Sequence, residues 1–245
     1  GADAFNVAVG HLAGDLMTTG IYNTLMGGAA GDALTDADDN VAIGTSALGA
    51  DTLGSKSTAV GQSALTTQNF TTATDTYNTA VGYYAGVNLT SGIQNTALGA
   101  LALSANTTGV HNIAIGVAAM DASVASSYNI ALGTNALGLT ATSGNGFNTA
   151  IGHTSMAGAT TAIGNVAIGY RALEANQTGA ENVVVGNYAG IVMTGANNVA
   201  VGSSALTACV AGARNVAVGK LALDSITSGG NNIGIGYVAG DAMTE

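Results

Sequence analysis

The sequence predicts an all-β fold, a parallel β-solenoid or β-roll of about 14 coils with a 17-residue repeat. Three observations predict it: a pentapeptide that recurs along the whole chain, a glycine fixed at one place in that pentapeptide, and the absence of proline from 245 residues. The repeat runs from end to end, so residues 1–245 read as a single β-solenoid repeat domain.

The pentapeptide is Asn-x-Ala-φ-Gly, with φ a large aliphatic residue. It starts at Asn6, Asn23, Asn40, Ser57, Asn78, Asn95, Asn112, Asn129, Asn148, Asn165, Asn182, Asn198, Asn215 and Asn232. Ser57 is the one departure at the first position. Ten of the thirteen spacings are 17 residues, and the others are 21, 19 and 16. A 17-residue unit is too short for a helical hairpin. Its two apolar stretches and two glycine-marked bends fit one solenoid coil with two short strands, stacked on the next at about 4.8 Å.

Within the motif, φ is always large and apolar, as in Ile43, Ile115 and Ile168, and the residue two before it is always Val, Ile or Thr. Alternation places these two on one face of a short strand, where β-branched residues fit well. A buried φ residue contributes about 1.5–3 kcal/mol. The residue between them, nearly always Ala, is expected to point outward and to allow a neighbour to approach. The next residue is Gly in all fourteen copies, including Gly44, Gly116 and Gly169, which marks a sharp bend or a positive φ. The motif asparagines, Asn40, Asn112 and Asn165 among them, are placed to form a side-chain amide ladder between coils. Proline is excluded if most backbone N–H groups donate to the next coil. Each coil touches only its neighbours, so stability comes from repetition.

Composition excludes several functions. Charged residues make up 7% and hydrophobic residues 47% of the chain, and net charge is −10. Disorder needs the opposite balance. Only Lys56, Arg171, Arg214 and Lys220 are basic, too few for a phosphate-binding face, so nucleic acid is not an expected partner. No apolar run approaches a membrane span, and membrane insertion by this segment is not expected. No basic-then-apolar leader is visible, and Glu245 falls partway through a repeat, so the chain reads as a segment of something longer. Cys209 has no intrachain partner and reads as a small buried hydrophobe. The low charge and the outward Ala face leave apolar surface to cover, which predicts association with copies of the same chain.

The motifs Asn40-Val-Ala-Ile-Gly44, Asn112-Ile-Ala-Ile-Gly116 and Asn165-Val-Ala-Ile-Gly169 resemble the head repeats of trimeric autotransporter adhesins. The longer form, from Asn95-Thr-Ala-Leu-Gly99 through Thr107-Thr-Gly109 to Asn112, is similar to repeat regions of phage tail-fibre proteins. The resemblance covers essentially the whole chain, although the coil is longer here than in the adhesin heads. It implies a left-handed parallel β-roll in a homotrimer, an extracellular place on a bacterial surface or virion tail fibre, and adhesion to a cell-surface glycan or protein receptor. A ligand-free filament or sheath subunit that polymerises end to end is the alternative, and an enzyme is not expected.

No residue set suggests chemistry. Catalysis needs convergent polar groups, and His11, His111 and His153 are scattered, with His11 and His153 at the same repeat position in different coils. The acids Asp32, Asp36, Asp38 and Asp39 read as solvated surface rather than a calcium site. No catalytic residue, metal or cofactor is expected. The best candidates for ligand contact are two expanded coils, at 66–77 and 139–147, because solenoid insertions form loops on one face. They carry Phe70, Tyr77 and Phe147. Aromatic residues also precede the motif Asn at Phe5, Tyr22 and Tyr128. These rings either fill irregular corners and an oligomer interface or form a stacking surface. A regular threonine array for binding ice is broken in most coils.

Overall fold

The structure, a computed structural model, describes residues 4–138 and 143–244. It is all-β, a parallel β-solenoid of about 13 turns at a spacing of about 17 residues. Backbone contacts divide the chain into two compact units, Gly1–Ala125 and Ser126–Glu245. The first contains β1 (Val7–Val9), β2 (Thr24–Met26), β3 (Val41–Ile43), β4 (Gly54–Ser55), β5 (Thr58–Val60), β6 (Thr74–Asp75), β7 (Thr79–Val81), β8 (Thr96–Leu98) and β9 (Ile113–Ile115). At the boundary lies β10 (Ala125–Ser127). The second contains β11 (Ile130–Leu132), β12 (Ser143–Asn145), β13 (Thr149–Ile151), β14 (Val166–Ile168), β15 (Val183–Val185), β16 (Val199–Val201), β17 (Val216–Val218) and β18 (Ile233–Ile235).

Every motif contributes one three-residue strand, and equivalent residues pair in parallel, as in Thr96↔Ile113 and Val166↔Val183. Among the described residues the expected second strand is absent from most regular coils. Short extra strands occur, among the described residues, where a regular coil meets an expanded one, β4 pairing with β6 and β10 with β12. Backbone geometry gives the reason. Each coil holds three residues with φ near +55° at fixed places: the residue before the motif Asn, and the residues two and four beyond the motif Gly, for example Glu181, Arg171 and Leu173. These left-handed residues turn the chain where a strand would run straight. Their amides still donate to the adjacent coil, as Arg171 N does to His153 O at 3.1 Å and Leu173 N to Ala189 O at 3.1 Å.

The motif Gly has φ between 125° and 148° in every coil. A Cβ on Gly169 would lie 2.4 Å from the carbonyl oxygen of Gly186 in the next coil. No other residue fits this position.

The strand faces are the reverse of the sequence expectation. The middle Ala is inside: Ala42, Ala59, Ala114, Ala131, Ala150, Ala167, Ala200 and Ala217 are fully buried. The φ residue and the one two before it point outward, so Leu98, Ile113, Ile130, Leu132, Ile168, Val183 and Val201 are exposed and Ile43 and Ile115 half-buried. The coil interior is already occupied from the opposite side. The residue four beyond the motif Gly projects a large side chain into it in most coils, among them Leu48, Leu65, Leu103, Met120, Met156, Leu173 and Leu206, all fully buried apart from Leu65 at 1%. Only a methyl group fits between these side chains and the strand.

Where that inward residue is itself a glycine, other positions enlarge. Gly31 is followed three residues on by Leu34, Gly86 by Leu89 and Gly190 by Met193, each buried. In the Leu-bearing coils the corresponding residue is usually small or polar: Asp51, Asn106, Asn176 or Cys209. The middle Ala is also replaced by Leu25 and Val184 in coils that carry such a glycine. A Cβ on Gly31 would lie 2.8 Å from both Leu25 and Leu34. The side chains at these three positions therefore trade size within a coil, as close packing requires.

Candidate functional site

The motif asparagines are architectural. In the regular coils Oδ1 accepts the main-chain N–H of the next motif Asn, and Nδ2 donates to the carbonyl fourteen residues on, which closes its own coil. Asn165 donates to Gly179 O at 2.9 Å and accepts from Asn182 N at 2.9 Å. Asn40 donates to Gly54 O at 3.0 Å and accepts from Ser57 N at 2.8 Å. Asn112 receives the same support through Asn95 Oδ1 at 3.0 Å. The ladder expected from the sequence is present and also seals each coil.

Ser57 interrupts this ladder, and the first expanded coil repairs it. Gln68 Oε1 accepts from Asn78 Nδ2 at 2.8 Å, as a motif Asn oxygen would. Gln68 Nε2 donates to Ser57 Oγ at 2.8 Å and Asp51 Oδ2 at 2.6 Å. The buried Asp51 carboxylate also accepts from Gly54 N and Phe70 N at 3.1 and 3.0 Å. Much of the expansion is therefore tied down. Phe70 is half-buried, its backbone fixed by Asp51 and Leu53. Tyr77 is exposed. Of the second expansion, residues 139–142 lie outside the described residues, whereas Phe147 is exposed and stacks on Tyr128 at 5.2 Å.

The outward strand residues form a second surface. In each unit, two columns of Val, Ile, Leu and Thr run side by side in parallel register, as in Thr58-Thr79-Thr96-Ile113 beside Val60-Val81-Leu98-Ile115, and Thr149-Val166-Val183-Val199 beside Ile151-Ile168-Val185-Val201. No charged side chain interrupts these columns. The residues just outside them are more polar and include many of the aromatic rings.

Two of the four basic residues form ion pairs among the described residues, and both lie over a tyrosine. Lys56 Nζ sits 2.6 Å from Asp75 and 5.5 Å from the Tyr77 ring centre, and Tyr77 OH donates to Asp75 at 3.2 Å. The hydrogen bond with Asp75 holds the Lys56 ammonium above its ordinary pKa, and the bond from Lys56 holds the Asp75 carboxyl below its own. Arg171 pairs with Glu174 and lies 5.4 Å from the Tyr188 ring centre. Tyr170 meets Tyr188 edge-on at 5.2 Å and His153 at 5.5 Å. A hydrogen bond with Tyr188 raises the Tyr170 hydroxyl pKa. This group escaped the sequence reading because its members are spread over three successive repeats, with Tyr170, Arg171 and Glu174 in the middle one. Aligning the positions just after the motif Gly would have exposed it.

Cys209 is buried, and burial pushes its thiol pKa up. Among the described residues, no group of three His, Cys, Asp or Glu side chains could hold a metal ion, and no helix is long and apolar enough to cross a membrane. Of the Asn-x-Ser/Thr sites, Asn106 and Asn176 are buried and cap their own turns through Gly109 N and Gly179 N. Comparison with protein families, with characterised proteins and with solved structures returned no match.

Proposed function

We propose that this chain is a structural and adhesive fibre segment that associates with copies of itself, binds by repeated contact and catalyses no reaction. The observation that carries the reading is the aliphatic strand face. Flat, uncharged, contiguous apolar surface is uncommon on a monomer and marks a surface for association. Ile113 is 40% exposed, Leu98 45% and Val183 41%. Fully burying such a side chain is worth about 1.5–3 kcal/mol, so covering the exposed two-fifths gains roughly 0.6–1.2 kcal/mol each. Two per coil over the seven motif strands of one unit set an upper bound of about 8–17 kcal/mol by the same coefficient, lowered by the threonines and half-buried positions among them. Association costs about 4–15 kcal/mol. On these figures a face of two or three coils falls short of that cost, whereas the face of a whole unit is of the size that could offset it.

The trimeric stoichiometry follows from the resemblance to autotransporter adhesin heads, as does the extracellular setting on a bacterial surface or a virion tail fibre. Three chains side by side multiply weak sites, and avidity raises modest affinities without new contacts. The net charge of −10 supports a partner other than nucleic acid.

Native mass in solution, measured by light scattering after size exclusion, tests the reading. A discrete species of three 23.6-kDa chains is expected, dissociating when Ile113→Lys and Ile168→Lys are introduced together. A stable monomer at micromolar concentration would refute self-association. An open-ended series of masses would favour the end-to-end filament instead.

A further inference from the structure

The group around Arg171 is chemically distinct from the remainder of the surface. His153, Tyr170 and Tyr188 come from three successive coils, each directly or almost directly after a motif Gly, at the turn that leads away from the strand face. Their rings meet at 5.5 and 5.2 Å, the second pair at an interplanar angle of 84°. Perpendicular rings make a corner rather than a closed stack. Tyr170 is 41% exposed. Arg171 lies over Tyr188, its Nε held by Glu174. Arg171 also hydrogen-bonds Tyr188, and the five N–H donors of the guanidinium fork leave some beyond these two partners. An aromatic wall, a fixed cation and an adjacent carboxylate thus converge within one unit.

We propose that His153, Tyr170, Arg171, Glu174 and Tyr188 form a binding site for a neutral glycan. A pyranose has an apolar C–H face, which stacks on an aromatic ring, and a rim of hydroxyls, each both donor and acceptor. Tyr170 and Tyr188 supply the ring surface. Arg171 supplies donors and Glu174 an acceptor side by side, which suits neighbouring hydroxyls. The ion pair leaves the group near neutrality, and fourteen acidic residues against four basic ones disfavour a polyanionic glycan. A half-exposed ion pair at the surface contributes little to stability, so the fold itself does not require this arrangement. In the other unit, Lys56, Asp75 and Tyr77 repeat the combination of base, acid and tyrosine.

The inference rests on the attachment reading for its purpose, and its test is independent of oligomeric state. The probes are maltohexaose, cellohexaose and chitohexaose, with polygalacturonate as the anionic comparison, titrated into the full chain and followed by NMR line broadening and tyrosine shifts. At least one neutral hexasaccharide is expected to bind with Kd of roughly 0.1–1 mM. Tyr188→Ala and Arg171→Gln should each weaken that binding about tenfold or more, whereas Tyr22→Ala should leave it unchanged. Should Tyr188→Ala disturb the circular dichroism spectrum, Glu174→Gln, which preserves shape, is expected to show the same loss. The proposal is overturned if no neutral probe binds at about 10 mM, if polygalacturonate binds more tightly, or if Tyr22→Ala weakens binding equally. A monomer that binds would sink the trimer and spare the site, and a trimer that does not bind would do the reverse.

Discussion

Replacing Asn198 by Ala probes the bond that both closes a coil and joins it to the next. Asn198 Nδ2 donates to Gly212 O at 2.9 Å, and Asn198 Oδ1 accepts from Asn215 N at 2.9 Å. Asn198 and Asn215 are fully buried, so water cannot replace the lost side chain without opening the coil. After Asn198→Ala the Gly212 carbonyl retains only the long contact from the Cys209 thiol at 3.8 Å, and Asn215 N–H loses its acceptor. A buried polar group stripped of its partner costs about 1–3 kcal/mol, so two cost about 2–6 kcal/mol, a large share of a typical domain's stability. Urea unfolding followed by circular dichroism at fixed protein concentration measures the global loss, and hydrogen exchange at Asn215 N–H reports the local opening. Asn198→Ser should cost as much, because no second amide reaches this coil as Gln68 reaches that of Ser57. Ser203→Ala, exposed in the same coil, should stay within about 0.5 kcal/mol. A loss below about 1 kcal/mol with unchanged exchange at Asn215 would refute the coil-closing role.

Three further perturbations test the packing and the backbone. Gly86→Leu brings a Cβ to 2.9 Å from Leu65 and should destabilise by about 1–3 kcal/mol, yet Gly86→Leu with Leu89→Asn recreates the pattern of the next coil, Leu103 with Asn106, and should recover most of the loss. Thermal melts of both singles and the double would show that coupling, and simple additivity would contradict it. Gln94 is exposed at φ 59°, a conformation that costs an ordinary L-residue roughly 1–2 kcal/mol; Gln94→Asn, the residue already found at Asn197 and Asn231, should raise the melting temperature, and no rise would undercut the left-handed assignment. Burial raises the Asp121 pKa, so the folded chain holds this proton more tightly than the unfolded chain, and stability falls as pH rises from the ordinary carboxylate value through the raised one. Asp121→Asn should therefore stabilise at neutral pH and lose that advantage in acid, as urea melts at both pH values would reveal.

Much of the architecture was legible because the repeat is strict. The Asn and Gly positions gave coil boundaries, parallel register and the amide ladder, each governed by one local requirement. The direction of the strand was not legible. Alternation separates Ile168 from Ala167 but does not decide which faces inward, and general hydrophobicity favours the larger. The deciding fact lies outside the motif, in Leu173 and its equivalents, which fill the coil from the far side. The exchange between Gly31 with Leu34 and Leu103 with Asn106 is written in the sequence but becomes meaningful only once both are known to share one interior. The left-handed turns were hidden because Tyr188, Arg171 and Leu173 occupy them, residues with no preference for that conformation. Gly31, Gly86, Gly164, Gly190, Asn135, Asn197 and Asn231 are among those that hint at it. The Phe70 and Tyr77 expansion read as a ligand-contact loop, and the buried Gln68 reveals a structural reason for its length: it supplies the amide that Ser57 lacks.

The inverted strand connects packing to association. Where a Leu already fills the coil from the far side, the middle strand position has room only for Ala, so the β-branched residues that favour the strand stand on its outside. The chain therefore carries apolar surface as a consequence of its cross-section, and a mutation that shrank the inward Leu would not draw Ile168 inside, because alternation fixes its face. Each coil also bears three left-handed residues, most of them not glycine, at roughly 1–2 kcal/mol apiece. One coil cannot offset that from a few buried methyl groups and a single Leu. Two sources remain: the hydrogen bonds to adjacent coils, which exist only in a stack, and cover for the outward aliphatic columns, which the coil cannot provide for itself. Copies of this chain would provide that cover coil by coil with the same repeat, so the proposed self-association and the stability of the coil pose one physical problem.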